Sequence, residues 1–263
     1  MITVDNISLI RNKKTILHNV SWTVKKGEHW CLLGLNGSGK TTLLNIINGY
    51  IWPTVGTVNV LGNIFGQTNL PELRKEIGWV SSSLQQRFND EDNVLEIVLS
   101  GKFASIGLYD HVMEEDLQKA RELLKLLNCE ELQYQKYGIV SQGERRRVLI
   151  ARSLMSSPKL LILDEPCTGL DLLSREHLLQ YIEKIAKDPD GPTLIYVTHH
   201  VEEILPCFTK TLFLRNGEVF ANGESKKLLN EENLSSFFQR PISVQLQQGR
   251  TWLALKEYII NRD

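Results

Sequence analysis

The residue types best suited to chemistry sit in three short runs. The first is Gly34-Leu-Asn-Gly-Ser-Gly-Lys-Thr-Thr42. Gly34, Gly37 and Gly39 let the backbone turn tightly with its amide N–H groups facing inward, a cradle for an anion. Asn36 and Ser38 lie within that cradle. Lys40 adds an ammonium, Thr41 a hydroxyl able to ligate a divalent cation, and Thr42 a second hydroxyl for another phosphate oxygen. Together these are the parts of a phosphate-binding P-loop. The second run is Leu160-Leu-Ile-Leu-Asp-Glu-Pro166, an apolar stretch ending in two carboxylates. On its own Asp-Glu at a strand end suits a helix cap equally well. Beside a P-loop, Asp164 suits a metal and Glu165 a water near a terminal phosphate. The third run is Val140-Ser-Gln-Gly-Glu144, where Ser141 and Glu144 suit a capping box, and the Ser141 hydroxyl, the Gly143 amide and the helix dipole a second anion site at a helix N-terminus; Glu144 stands within this run.

These runs need elements to hold them. The apolar residues 30–33 before the P-loop read as a buried strand, and Leu43, Leu44, Ile46 and Ile47 after it as a helix. Residues 2–33 alternate with period two and read as strands, with a turn at Asn12, Lys13 and Lys14. Residues 54–61 read as a further strand with turns at Gly56 and Gly62, and 71–76 as a short helix before the strand 77–80. From about 88 to 156 the pattern becomes helical: 94–99 capped by Asp92 or Asn93, 114–127 with one apolar face, and 143–155. Strand–helix alternation returns with strand 160–163, a helix from Ser174 and strand 193–197. This alternation predicts an α/β fold with a parallel sheet. An Asn216-Gly217 turn marks a hairpin. The tail offers a short helix, an apolar Leu234, Phe237 and Phe238 cluster, and a second hairpin near Gln248-Gly249.

The 263 residues suffice for a proper core. The net charge of −1 gives no global basic field for nucleic acid, and none is expected as a partner. The four cysteines are scattered without metal spacing, which fits a reducing cytosol. The N-terminus reads as no signal peptide, and no apolar run approaches the ~20 residues that span a bilayer. The run Arg145-Arg-Arg147 on a helix projects its side chains in different directions, which favours a solvated or salt-bridged face.

In this order the motifs closely resemble the nucleotide-binding subunits of the ABC (ATP-binding cassette) ATPases, over about residues 2–230. Residues 34–42 match Walker A, 141–144 the signature (the family favours Ser-Gly-Gly-Gln), and 160–165 Walker B. Thr168-Gly-Leu-Asp171 matches the D-loop and His199 the switch histidine. The resemblance implies a P-loop NTPase core with a parallel sheet, an N-terminal antiparallel β subdomain and an inserted helical subdomain at about 88–156. Residues 1–230 would form the ATPase domain and 231–263 a C-terminal extension. It further implies ATP and Mg²⁺ as cofactors, with Glu165 and His199 catalytic and Thr41 and Asp164 on the metal. Two subunits, in a homodimer or with a similar chain, would sandwich ATP between one Walker A and the other's Ser141, Gly143 and Glu144.

Two positions depart from the family pattern. Arg11 stands where an aromatic residue usually stacks on adenine, and a guanidinium can also stack. Ser82 stands where a glutamine usually contacts Mg²⁺, with Gln85 and Gln86 nearby. An exposed turn at 81–83, with Ser82 reaching the metal through a water, is the expected arrangement. The implied function is the ATPase subunit of a transporter, working through a separate membrane permease at the inner face of the cell membrane. The stretch 98–109 resembles importer subunits for metal chelates. The alternative is a soluble ABC ATPase without a permease.

Overall fold

The computed structural model describes residues 1–108 and 111–256. Tyr109, at the end of the 98–109 stretch, and residues 257–263 of the expected C-terminal extension lie outside the described residues.

The chain begins with a long antiparallel pair, β1 (Ile2–Arg11) and β2 (Lys14–Val24). Asn12 and Lys13 turn between them with φ of 50° and 62°. The P-loop strand β3 (Trp30–Leu33) and helix α1 (Lys40–Ile47) follow. Next come β4 (Val55–Val60), β5 (Asn63–Ile64), α2 (Leu70–Lys75), β6 (Ile77–Val80) and the one-turn helix α3 (Ser82–Gln85). Gly56 lies inside β4, where the pairing with β1 skips between Asp5 and Ser8, so it marks a bulge and not the expected turn. The serine run is likewise no exposed turn: Ser81 is buried and caps α3, its hydroxyl accepting from Leu84 N–H.

Helices α4 (Val94–Ser100), α5 (Glu114–Leu126) and α6 (Gln142–Leu154) make up the helical middle. Asn93 precedes α4 and its N–H donates to Glu96, the third residue of the helix, at 3.1 Å. The second half runs β7 (Leu160–Asp164), α7 (Leu172–Lys187), β8 (Thr193–Thr198), β9 (Lys210–Arg215) and β10 (Glu218–Glu224). Helix α7 starts two residues earlier than Ser174 because Asp171 caps it.

Two sheets result. Strands β2-β1-β4-β5 form one, and β10-β9-β3-β8-β7-β6 the other, with β3, β6, β7, β8 and β9 parallel where they pair. The α/β class holds. Period-two alternation divides the buried strand residues between two cores. Leu32, Leu160, Ile162, Ile195 and Leu212 face the first sheet and α1. Leu33, Leu161, Leu163, Tyr196 and Phe213 face α4, α6 and α7. Strands covered on both faces read as unbroken apolar runs, as β7 does. Each fully buried Leu or Ile contributes about 1.5–3 kcal/mol. The two β3 neighbours, β8 and β9, thereby fix the height at which the P-loop emerges.

The tail adds α8 (Ser225–Leu228), α9 (Glu231–Phe238) and the hairpin β11 (Ile242–Gln247) and β12 (Arg250–Leu255). Phe237 packs 4.9 Å from Phe213 and 5.5 Å from Phe220 between ring centres. Arg250 donates to Glu176 on α7 at 2.5 Å and to the Glu202 carbonyl at 2.7 Å, so the hairpin is tied to the core.

Candidate functional site

The P-loop is shaped by contacts that exclude side chains. A Cβ on Gly34 would sit 2.4 Å from Ser38 Oγ and 2.8 Å from the Leu214 carbonyl. Gly37 and Gly39 hold φ of 78° and 104°, where L-residues are strained. The loop then enters α1 at Lys40, which is almost wholly buried. Its ammonium donates to the Gly34 carbonyl at 2.8 Å and the Leu35 carbonyl at 3.3 Å, and pairs with Glu165 Oε1 at 3.2 Å. The charge is therefore held over the loop's mouth by the loop's own backbone.

Glu165 directly follows β7 with φ of 49°, a strained value, and its N–H donates to the Val197 carbonyl at 2.9 Å. The strain turns its carboxylate toward Lys40 and His199. His199 Nδ1 lies 3.3 Å from Glu165 Oε1, within ion-pair range though not aligned as a hydrogen bond. Burial pushes the Glu165 carboxyl up, but Lys40 and then His199 outweigh it and hold it below the usual range. Asp164 behaves oppositely. Burial, with Glu165 beside it, raises it to about 6 against the pull of Lys40 and Arg146.

Lys40, Asp164 and Glu165 border one cleft of about 830 Å³; His199 sits beside Glu165 without lining it, and Gly34 lies at the base of the loop outside the lining. Asn36, Gly37, Ser38, Gly39, Lys40, Thr41, Thr42, Ser82, Asp164 and Glu165 all line it, as the sequence placed them. Ser38 Oγ is buried there with no hydrogen-bond partner. An orphaned hydroxyl, a buried ammonium and a run of loop amides fit a phosphate chain. Thr41 and Asp164 fit a divalent cation, since a carboxylate raised by burial and a like charge gains most from one.

Arg11 does not line the cleft; Lys14, Thr15 and Ile16 of the next strand do, with Asn216. The turn at Asn12 and Lys13 brings the start of β2, not the end of β1, alongside the P-loop. Ser141, Gly143 and Glu144 lie outside the cleft. Ser141 and Glu144 close a capping box, with Glu144 Oε2 accepting from Ser141 N–H and Oγ at 2.7 Å each. Those bonds, the hydroxyl's first, hold Glu144 below the usual carboxylate range. Gly143 abuts Ser174: a Cβ there would lie 3.3 Å from Ser174 Cβ. Residues 141–144 also adjoin the stretch expected to be the D-loop, since a Cβ on Gly169 would lie 3.9 Å from Gln142 Oε1.

The arginine run meets the expectation of a solvated or salt-bridged face only in part: Arg145 pairs with Asp90 at 3.8 Å, but Arg146 is buried. Arg145 donates to the Val140 and Gly138 carbonyls and Arg147 to those of Leu127 and Asn128. Arg146 is buried and donates to Ser82 Oγ at 3.0 Å. Its signal was helical phase: it precedes the buried Leu149, Ile150 and Ser153 by three, four and seven residues. Glu203 was also missed. It is buried and accepts from Thr198 Oγ1 at 2.6 Å and Tyr196 OH at 2.9 Å, bracing the segment that carries His199.

Comparison with known proteins converges on one family. The family model described as ABC transporter matches residues 17–168. The uncharacterized ABC transporter ATP-binding protein YlmA of Bacillus subtilis is 50% identical over 262 residues, 99% of each chain. A solved ABC transporter assigned to the metal-chelate type, in an inward-facing conformation, superposes with a TM-score of 0.78 at 26% identity, covering 98% of each chain. A dimeric post-hydrolysis state of an ATP-binding cassette with ADP and phosphate bound superposes with a TM-score of 0.73 at 29% identity, covering 85% of this chain and 98% of that one.

Proposed function

The chain belongs to the ABC transporter ATP-binding proteins and is an ATPase, and on that footing we propose that it drives solute import through a separate membrane permease. The observation that carries the ATPase part of the reading is the pairing of Glu165 with Lys40 in the cleft and with His199 beside it, with Ser141 and Glu144 displayed outside. A half-site in the cleft and a half-site elsewhere on the surface suit a composite site between two copies, and the cassette it resembles with ADP and phosphate bound is dimeric. The likeness in sequence of the stretch 98–109 to metal-chelate importer subunits supports import, and the working position is the inner face of the cell membrane. Residues 1–230 serve as the ATPase domain, with the helical part at about 88–156, and 231–263 as an extension.

The residues divide the work. Loop amides and Ser38 bind phosphate oxygens, and Ile16 offers the base an apolar contact in place of Arg11. Thr41 and Asp164 would hold Mg²⁺, which would neutralise charge on the phosphates. Lys40 exchanges its bond to Glu165 for the β- and γ-phosphates. That exchange frees Glu165, already ionised, to accept a proton from the attacking water. His199 lies next to Glu165 and donates to the terminal phosphate. Ser141 and Gly143 of the second copy close over that phosphate with a helix N-terminus.

Glu165→Gln keeps nucleotide binding and removes the base. The variant should sediment as a dimer with ATP and a monomer with ADP, with turnover reduced at least a hundredfold. A mass that does not respond to ATP would overturn the composite site. Recovery of an integral membrane protein with the tagged chain from native membranes tests the permease; recovery of soluble partners alone would favour a non-transport role.

A further inference from the structure

The loop after β6 lacks the family's glutamine and has Ser82, whose hydroxyl reaches only a short way into the cleft. Beneath it lies Arg146, on the helix that begins at the signature. Arg146 is 3% exposed, and of its three guanidinium nitrogens only Nη2 has a partner, Ser82 Oγ at 3.0 Å. Nε and Nη1 are buried without partners. A buried cation satisfied at one nitrogen is costly unless negative charge compensates it. Among the described groups facing it are Tyr137, Cys167 and Asp164, and of these only Asp164 is an ordinary anion.

The direction of the one bond matters. A hydroxyl has one hydrogen and two lone pairs. Arg146 takes a lone pair of Ser82, so the Ser82 hydrogen must find its acceptor elsewhere, and the cleft lies on that side. A charge-assisted bond to the oxygen also makes its O–H a stronger donor. The same guanidinium makes that oxygen a poor ligand for a dication. The second lone pair could still accept from a water, but the strengthened O–H needs an acceptor, and a phosphate oxygen offers one. We infer that Arg146 is a positioning residue that turns the Ser82 hydroxyl toward a terminal phosphate oxygen of the bound nucleotide, so that this edge of the cleft reads phosphate and not metal. The inference rests on the reading of the cleft as a nucleotide site. It replaces the expected water-bridged contact from Ser82 to Mg²⁺, and it couples the start of the signature helix to the nucleotide of its own chain.

The experiment is equilibrium binding of ATP and ADP to the full chain, by competition with a fluorescent nucleotide, each in Mg²⁺ and in EDTA. Arg146→Gln and Ser82→Ala should each weaken ATP about tenfold, the effect of losing one charge-assisted hydrogen bond. ADP should change less than twofold. The factor for ATP should be the same with and without Mg²⁺, and the double variant no weaker than Arg146→Gln alone. Arg146→Lys, which keeps the charge and a donor, should recover most of the loss. Ser82 is exposed, so Ser82→Ala keeps the test sound if Arg146→Gln unfolds. A loss confined to Mg²⁺, or equal for ATP and ADP, or additive in the double variant, would overturn the inference. An unaltered chain that binds no ATP would overturn the nucleotide reading itself.

Discussion

The two shores of the cleft are built on different principles. On the P-loop shore, consecutive residues do most of the work: glycines set the turn, Lys40 bonds the loop's own carbonyls, and α1 starts where the loop ends, with Glu165 and the Leu214 carbonyl the contacts from afar. On the Ser82 shore, one exposed hydroxyl depends on an arginine 64 positions later. The first shore is local, so its chemistry survives any folding of the rest that leaves β3 and α1 in place. The second exists only when the helical middle packs against β6. Nucleotide binding can therefore be strong on one side while the other reports how the two parts of the molecule are docked.

Removing the charge from the local shore should have the largest effect. Lys40→Ala takes away an ammonium that no neighbouring side chain replaces. ATP affinity should fall about a hundredfold, near 2.7 kcal/mol, and hydrolysis should vanish. Denaturant unfolding should show a chain that still folds cooperatively. Normal ATP affinity in this variant would break the comparison at its root, because the strong shore would then lie elsewhere.

Shape comes next. Gly34→Ala would push a methyl to 2.4 Å from Ser38 Oγ and 2.8 Å from the Leu214 carbonyl. The serine can rotate away, but the carbonyl belongs to β9 and cannot. A loss of about 1–3 kcal/mol of stability is expected, with weakened ATP binding. Urea unfolding with and without nucleotide separates the two effects. Wild-type behaviour would mean that the loop is more plastic than its contacts imply.

Asp164, between the shores, gives a pH signature. Burial and Glu165 raise its folded value to about 6 from the ordinary 3.8. An acid raised on folding binds its proton more tightly in the folded chain. Its stabilising contribution is full below about pH 4 and is lost as pH rises through about 6, by roughly 2–3 kcal/mol. Measured without nucleotide or metal, Asp164→Asn should lack that slope. Parallel stability curves for the two proteins between pH 4 and 7 would remove Asp164 as the strained group.

How far the sequence could be read follows the same division. The P-loop, the Asp164-Glu165 pair and both hairpins depend on neighbouring residues, and each was legible as spacing and turn chemistry. The α/β class followed from strand–helix alternation. What stayed hidden depends on packing between distant segments. Arg146 sits in a run of three arginines whose charge suggested solvent, although its helical phase pointed inward. Arg11 was placed by position along β1, but the turn at Asn12 and Lys13 gives the cleft wall to Lys14, Thr15 and Ile16. Ser81 read as part of an exposed turn because nothing local shows that it is a buried cap.

The smallest expected effect is the sharpest test of the second shore. If a displaced glutamine served as the metal contact, Gln85 or Gln86 would have to fold back into the cleft. The structure gives them other places. Gln85 ends α3, with its N–H donating to the Ser81 carbonyl at 3.2 Å, and Gln86 caps that helix in an exposed position. Neither lines the cleft. Bringing either inward would unwind a helix held by the Ser81 cap, a loss of about 1 kcal/mol before any new bond forms. Gln85→Ala and Gln86→Ala should therefore keep steady-state ATP hydrolysis within twofold of the unaltered chain across a Mg²⁺ titration. Ser82→Ala should raise the KM for ATP while leaving the Mg²⁺ midpoint unchanged. A large loss in either glutamine variant, shifted to higher Mg²⁺, would return the metal contact to a glutamine and make the Ser82 shore as local as the P-loop.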